Sequence, residues 1–202
     1  MFDKGQELAA IHRGVALDGE SVSVWLDRTY DAEAADVWAA LTNPERLPQW
    51  FYPVSGELRV GGTFQLEGNA GGEIRQCDAP DWLQITFGMP DSVIDLHLSE
   101  SGGRTTLEFT HTVPLAMAGS GAGALFVGPG WDGALLGLGI YLRGETNGRD
   151  PLEAANSPEV IEFNRGSIDA WTEAVEGSGT ATPEEIAGGR EAAIAQFTIL
   201  PS

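Results

Sequence analysis

Residues 83–109 decide the fold class, because three strand patterns follow one another there with only short turns between them. The stretch reads LQITFGMPDSVIDLHLSESGGRTTLEF. Apolar and polar residues alternate in each third of it, and turn-forming residues occupy 89–91 and 101–103. The period of two predicts strands with one buried face, and the short turns predict antiparallel neighbours.

The same pattern extends the predicted sheet toward the N-terminus. Phe64 and Leu66 alternate with polar residues before a glycine-rich turn at 68–72, and an earlier strand is predicted at 22–30. We therefore expect six or so antiparallel strands between residues 55 and 113. The residues predicted to face inward are Phe64, Leu66, Leu83, Ile85, Phe87, Leu96, Leu107 and Phe109. The residues predicted to face water are Gln65, Gln84, Asp95 and Glu108.

Helical patterns lie on both sides of this meander. Two short helices are predicted after the first strand, one capped by Asp31 and one begun by Pro44. A loop is predicted at 114–127, and Pro129 is predicted to open a long helix that ends at Gly144. Residues 1–20 show no clear periodicity and are interpreted as a loose lead-in.

The long helix is the element able to cover the apolar face of the sheet. Trp131, Leu135 and Leu138 recur on one side of it. A curved sheet wrapped round a helix leaves a space between the two, where small ligands bind in folds of this kind. A helical tail follows, with Trp171 on one apolar face and Thr182 as the cap of the last helix.

Composition limits the classes of partner. The chain has 202 residues, 30 acidic against 11 basic, and a net charge of −19. A surface this anionic repels phosphate and anionic lipid, so we expect no nucleic-acid or membrane partner. The first residues lack a signal pattern, which predicts a cytoplasmic protein. Cys77 is the single cysteine, so an internal disulfide is excluded.

No motif in the sequence predicts a cofactor or a metal. Residues 128–133 match the pattern GxGxxG but follow an antiparallel meander, which favours a plain junction between a loop and a helix. His97, Glu100 and His111 are the available metal ligands, and the phase of His97 turns it toward water. No GxSxG elbow is present, and no catalytic residue is assigned.

His111 shares the phase of the buried residues in its strand and is predicted to point inward. It is either a hydrogen-bonded histidine at the rim of the core, or a polar anchor or acid–base group at the mouth of a cavity. Arg28 also falls in an apolar phase, and the same two interpretations stay open for it.

Several phrases resemble the helix-grip superfamily, which includes START domains and the birch-pollen allergen. More closely, the chain resembles the bacterial family named after the activator of the 90-kDa heat-shock-protein ATPase. The phrases that carry the resemblance are RTYDA at 28–32, VWAALTNPERL at 37–47, QWF at 49–51, GGTF at 61–64, GGEI at 71–74, TTLEFTH at 105–111 and GPGW at 128–131.

The resemblance implies an α+β helix-grip fold. In it a curved antiparallel sheet is wrapped round a long C-terminal helix, with two short helices after the first strand and a helical C-terminal tail. The implied organisation is a lead-in at 1–20, a helix-grip domain at 21–145 and a helical extension at 146–202 packed on the same domain.

The leading functional hypothesis is non-catalytic binding of a small hydrophobic or aromatic molecule between sheet and helix. The predicted ligand-binding residues are Trp50, Phe51, Phe64, Leu66, Ile85, Phe87, Leu96, Leu107, Phe109, His111, Trp131, Leu135 and Leu138. The resemblance leaves two alternatives, a stress-linked chaperone-ATPase activator or interaction module, and an enzyme of the cyclase or dehydratase type. We expect no chaperone partner, since about 20 residues precede the first strand and the eukaryotic activator contacts its chaperone through a separate N-terminal domain. A homodimer is left open.

Overall fold

The structure is a computed structural model that describes residues 2–199. It is α+β, with one curved eight-stranded antiparallel sheet, a long helix and C-terminal helices, which confirms the predicted fold class. The strands are β1 His12–Asp18, β2 Ser21–Tyr30, β3 Val54–Gly56, β4 Thr63–Leu66, β5 Gly71–Asp78, β6 Trp82–Phe87, β7 Met89–Ser101 and β8 Arg104–Pro114. The helices are α1 Lys4–Ala9, α2 Ala34–Thr42, α3 Leu115–Ala118, α4 Ala124–Leu142, α5 Pro151–Ala155, α6 Pro158–Ser178 and α7 Pro183–Phe197.

The order of strands in the sheet is β1-β2-β8-β7-β6-β5-β4-β3, so the predicted meander from β3 to β8 is present as six consecutive neighbours. In the β6–β7 pair Leu83 lies opposite Leu96 and Ile85 opposite Ile94, which puts apolar side chains of both strands on one face.

The predicted inward phase of the meander is confirmed, but the extent of burial differs from the prediction on both faces of the sheet. Phe64, Leu66, Leu96, Leu107 and Phe109 are buried, but Leu83, Ile85 and Phe87 are only half-buried. On the outer face Gln65 and Glu108 are exposed as predicted, whereas Gln84 and Asp95 are half-buried. The reason lies in cross-strand hydrogen bonds on that face, because Gln84 Nε2 and Trp82 Nε1 both donate to Asp95 Oδ1, at 2.9 and 3.1 Å.

The interpretation of residues 1–20 as a loose lead-in is wrong. Helix α1 is capped by Asp3, whose carboxylate accepts from the backbone N–H of Gln6, and strand β1 follows at the edge of the sheet. Only Gly14 and Val15 of β1 are buried, so the strand carries almost no alternation that a periodicity argument could detect.

Several predicted helix boundaries also differ from the structure. In helix α2, Glu33 rather than Asp31 occupies the N-cap position without a side-chain capping bond, and the backbone N–H of Ala34 donates instead to Glu100 Oε2 at 2.8 Å. Helix α4 begins at Ala124 rather than at Pro129. Ala124 and Leu125 are buried, at 1% and 0% exposed, and this packing stabilises a helical turn ahead of a proline that normally disfavours one. The cap predicted at Thr182 is present, and Glu185 completes a capping box with it.

Contacts divide the chain into two compact units. The first unit runs to Leu26 and includes Thr112–Leu136 and the chain from Leu152 onward. The second unit comprises Asp27–His111 and Gly137–Pro151. The innermost side chains of the first unit include Leu125, Phe163, Ile168, Trp171 and Val175, and those of the second include Val37 and Leu107.

One stretch of the described residues, Gly121–Leu142, is long and apolar enough by length and composition alone to cross a membrane. Core helices pass the same test, and this one places Leu125, Leu136 and Leu138 at 0–1% exposure. It also carries Asp132 near its middle, which is costly in a lipid bilayer. We interpret it as a core helix.

Candidate functional site

Six of the predicted site residues meet in one apolar cluster of the second unit. Its base is formed by buried side chains, namely Leu47, Phe64, Leu66 and Ile74. The side chains packed against that base are only partly buried, namely Trp50, Phe51, Tyr52, Val54, Leu83, Ile85 and Phe87. We call these eleven residues the apolar cluster. Six of them were predicted as site residues, namely Trp50, Phe51, Phe64, Leu66, Ile85 and Phe87. The other five were not, namely Leu47, Tyr52, Val54, Ile74 and Leu83.

Three consecutive aromatic residues form one side of the apolar cluster. A 3₁₀ turn at Leu47–Gln49 ends at Trp50, whose indole N–H donates to the carbonyl oxygen of Ala40 at 3.0 Å. The Trp50 ring stacks on Phe51 at 5.2 Å, and Phe51 meets Tyr52 edge-on at 4.8 Å. The hydrogen bond to α2 and the two ring contacts hold these aromatic side chains in fixed orientations.

The end of α4 packs against the same aromatic segment. A Cβ atom added at Gly137 would lie 3.3 Å from the carbonyl oxygen of Trp50, so a glycine permits this approach. Arg46 Nε donates to the Tyr141 hydroxyl at 2.8 Å, and Arg46 Nη1 pairs with Asp36 at 2.7 Å. Arg46 therefore ties the last turns of α4 to the segment that carries Trp50.

His111 and Ser92 form a polar pair beside the apolar cluster. His111 Nε2 and Ser92 Oγ are 2.8 Å apart, and both residues are buried, at 6% and 4% exposure. The ring of Phe87, a member of the cluster, meets the imidazole edge-on at 6.1 Å. Burial lowers the pKa of His111 to about 4, so the imidazole is neutral at pH 7. The prediction that His111 points inward is confirmed.

The Ser92–His111 distance is that of a nucleophile and its base, but the electrostatics do not suit that chemistry. A histidine whose pKa lies near 4 is a weak base at neutral pH, and a general base works best with a pKa near the operating pH. The pair is therefore better suited to hydrogen bonding with a bound molecule than to proton abstraction.

The other predicted site residues lie outside the apolar cluster. Leu96, Leu107, Phe109 and Leu138 are buried in the second unit. Trp131, half-buried, and Leu135, which is 5% exposed, belong to the first unit. Their predicted place in one cavity with Trp50 stays a prediction.

Arg28 is buried rather than reaching open water. It is 4% exposed, its guanidinium lies 5.1 Å from the centre of the Tyr30 ring, and a Cβ atom at Gly139 would come within 2.8 Å of its Nη2. The glycine in α4 thus makes room for the guanidinium.

No prediction from the sequence included the buried charged group of the first unit. Asp132, 0% exposed, pairs with Arg13 Nη2 at 3.1 Å and accepts a hydrogen bond from Ser167 Oγ at 2.6 Å. Burial raises the pKa of Asp132 to about 6, although Arg13 and Ser167 both act to lower it. The available sign of this buried pair was an aspartate within an apolar helix, because a charged residue is seldom buried without a partner.

The GxGxxG match lies inside α4, not at a junction between a loop and a helix. A Cβ atom at Gly128 would lie 2.4 Å from the indole of Trp171. The glycine is therefore needed for close packing of α4 on α6 in the first unit, and the match has a structural cause.

A groove of about 580 Å³ opens along strands β3 to β7. Its lining is Gly56, Thr63, Phe64, Gln65, Gly71, Gly72, Glu73, Thr86, Gly88, Met89 and Pro90. Phe64 is the one predicted site residue among them. This groove differs from the apolar cavity that the sequence predicted.

Residues 2–199 contain no group of three or more His, Cys, Asp or Glu side chains able to hold a metal ion. His97 is exposed, as its phase predicted, and stacks on Trp82 with 5.5 Å between ring centres.

Solved structures with the same fold include relatives in several bacteria. CalU16 from Micromonospora echinospora is 37% identical, with a TM-score of 0.67 over 82% of this chain and 98% of that one. EF2215 from Enterococcus faecalis, a conserved protein of unknown function, is 18% identical, with a TM-score of 0.62 over 85% of this chain and 98% of that one. DynU16, from the dynemicin biosynthetic locus, is 22% identical, with a TM-score of 0.55 over 66% of this chain and 51% of that one. The last two show the fold alone.

No curated protein matches the chain. The family model described as Activator of Hsp90 ATPase homolog 1-like protein matches residues 31–143, which contain the whole apolar cluster and the Ser92–His111 pair. That match and the likeness to CalU16 agree with the resemblance in the sequence. The chain therefore belongs to the family of Activator of Hsp90 ATPase homolog 1-like proteins.

Proposed function

We propose that the protein binds a small hydrophobic or aromatic molecule on the apolar cluster. The observation that carries the proposal is the incomplete burial of the cluster, in which seven apolar side chains stay partly exposed around four buried ones. Apolar area removed from water contributes about 25 cal/mol per Å². A flat ligand that covers these side chains is therefore bound favourably, and aromatic faces suit flat ligands.

The aromatic segment supports the proposal because its side chains are ordered before any ligand arrives. The indole of Trp50 is held by its hydrogen bond to Ala40, and Phe51 is held between Trp50 and Tyr52. A ligand that meets rigid side chains loses less entropy on binding than one that must order them.

A titration with Nile red, a neutral dye whose emission responds to apolar surroundings, tests the proposal. We expect saturable binding that weakens about tenfold or more in Trp50→Ala, since that variant removes a large aromatic contact. Trp25→Ala is the matched control, because Trp25 is an exposed tryptophan of the first unit outside the cluster. Trp50→Phe keeps an apolar ring if the alanine variant unfolds.

Saturable binding that is equally strong in the wild type, Trp50→Ala and Trp50→Phe would place the dye elsewhere and overturn the proposal. Trp131→Ala tests the wider prediction, in which Trp131 and Leu135 contribute to the same site. An unchanged affinity in Trp131→Ala confines the site to the second unit.

A second candidate is a chaperone-ATPase activator, and the family match is the observation that favours it. Purified chaperone with equimolar protein separates the two functions. A several-fold stimulation of the ATPase that Nile red does not affect favours the activator. No stimulation together with saturable dye binding favours the ligand-binding function.

We also propose a cytoplasmic protein with no nucleic-acid or membrane partner. The net charge of −19 supports this, because phosphate groups are repelled by an anionic surface. An electrophoretic shift of duplex DNA at physiological salt would contradict it. Light scattering at several concentrations decides whether a homodimer forms.

A further inference from the structure

A buried polar pair lies at one end of the inner face of the sheet. On β7, Ser92 shares the buried phase of Ile94 and Leu96, and on β8, His111 shares the buried phase of Phe109. Ser92 lies near the start of β7 and His111 near the end of β8, and the two strands are antiparallel neighbours. Both side chains therefore lie at the same end of that face, whereas the other buried polar residues of the face, Thr105 near the start of β8 and Arg28 near the end of β2, lie toward its opposite end.

The same end of the neighbouring strand β6 carries Phe87. This residue is the last of β6, belongs to the apolar cluster and contacts the imidazole of His111 edge-on. A molecule lying on the cluster at this end is therefore within reach of both an aromatic ring and a polar pair.

The polar pair is uncharged at neutral pH. Burial keeps the imidazole of His111 neutral, and its partner Ser92 is a hydroxyl. A hydroxyl has one donor and two acceptor positions, and the bond to His111 uses one of the three. Ser92 can therefore donate to a carbonyl oxygen or accept from a hydroxyl group, depending on the histidine tautomer.

We propose that Ser92 and His111 form a subsite for a neutral oxygen, a phenolic hydroxyl or a ring carbonyl, on an aromatic ligand whose rings lie on Phe87 and the apolar cluster. The subsite selects against carboxylates. This inference rests on the proposed function and adds the chemical class of the ligand.

The physical reason for the selectivity is the cost of desolvation. A carboxylate that contacts this neutral pair gains no ion pair from it to replace its hydration, and burying a charge without such compensation is strongly unfavourable. A phenol or a ketone requires one hydrogen bond, which the hydroxyl of Ser92 can supply. The net charge of −19 adds long-range repulsion against anions.

Calorimetric titrations at pH 7 with naphthalene, 2-naphthol and 2-naphthoate test the inference. The three probes share one ring system and differ only in the polar group. We expect 2-naphthol to bind about fivefold more tightly than naphthalene, as one hydrogen bond would give, and 2-naphthoate to bind more weakly than either.

Ser92→Ala should remove the advantage of 2-naphthol and leave naphthalene unchanged. Ser99→Ala is the matched control, because Ser99 lies on the same strand but is exposed. If Ser92→Ala unfolds, the ranking of the three probes on the wild-type protein still decides the question.

The outcomes separate this inference from the proposed function. Naphthalene and 2-naphthol of equal affinity, both weakened by Trp50→Ala, would overturn the subsite and keep the ligand-binding function. Tightest binding of 2-naphthoate would likewise overturn the subsite. Binding of none of the three, with no Nile red binding, would overturn both proposals.

Discussion

The first unit buries a carboxylate with a charged partner, whereas the second unit buries a neutral imidazole. In the first unit Asp132 is surrounded by partners, with Arg13 at 3.1 Å and Ser167 at 2.6 Å, in a fully closed interior. In the second unit His111 is held neutral beside Ser92, next to a cluster whose rim stays partly exposed. The paired charge therefore belongs to the closed core, whereas the neutral pair borders the partly exposed surface that is suited to a ligand.

The largest effect is expected at the charged pair of the first unit. Asp132→Asn leaves the guanidinium of Arg13 without its carboxylate, and losing one partner of a buried pair costs about 3–5 kcal/mol of unfolding free energy. Asp169→Asn is the matched control, because the Arg190–Asp169 pair is exposed and worth under about 1 kcal/mol. Denaturant unfolding measures both variants, and equal losses would contradict the contrast between the units.

The pH dependence of stability should separate His111 from Asp132. The pKa of His111 falls from 6.5 to about 4 on folding, so the unfolded chain binds more protons and stability rises with pH from about 4 to 6.5. The pKa of Asp132 rises from 3.8 to about 6, so the folded protein binds more protons and stability falls from about pH 4 to 6. In the wild type these two contributions oppose each other.

Variants make the two contributions visible. Relative to the wild type, His111→Gln should lose stability as the pH rises from 4 to 6.5, and Asp132→Asn should recover stability as the pH rises from 4 to 6. Each change is on the order of 3 kcal/mol, from about two pKa units. Unfolding free energies measured across this range test the signs, and parallel curves for the two variants would show that neither pKa is displaced.

A smaller effect is expected at the glycines of α4. Gly128→Ala places a Cβ atom 2.4 Å from the indole of Trp171 and should cost about 1–3 kcal/mol. Gly133 has nothing within 4 Å, so Gly133→Ala should stabilise the helix by about 0.5–1 kcal/mol.

Gly137 allows the same glycine-to-alanine test in the second unit. Its Cβ atom would lie 3.3 Å from the carbonyl oxygen of Trp50, which a small shift relieves, so Gly137→Ala should be close to neutral. Thermal unfolding of the three variants gives the ranking, and a stabilising Gly128→Ala would contradict the tight packing of the first unit.

Much of the site in the second unit could be predicted because it lies on strands. Period-two alternation assigns a side to every residue, and that is enough to turn Phe64, Leu66 and His111 inward. Alternation does not say how deeply a residue is covered, so the partial burial of Leu83, Ile85 and Phe87 was missed.

The first unit was harder to predict because its decisive contacts join distant segments. Arg13 and Asp132 are 119 residues apart, and Asp132 and Ser167 are 35 apart. No local pattern marks such a pair. The start of α4 before Pro129 was missed for a related reason. Proline disfavours a helical turn before it, but the burial of Ala124 and Leu125 outweighs that local effect.

The α+β class, the antiparallel meander and the inward phase of its strands could be predicted from residue spacing that repeats along the chain, and the family from short phrases of sequence. Three further properties required the three-dimensional structure: which apolar residues stay half-exposed, which charge is buried with a partner, and why residues 128 and 137 are glycines. Those properties depend on what lies across the fold from each side chain, and local periodicity carries no information about that.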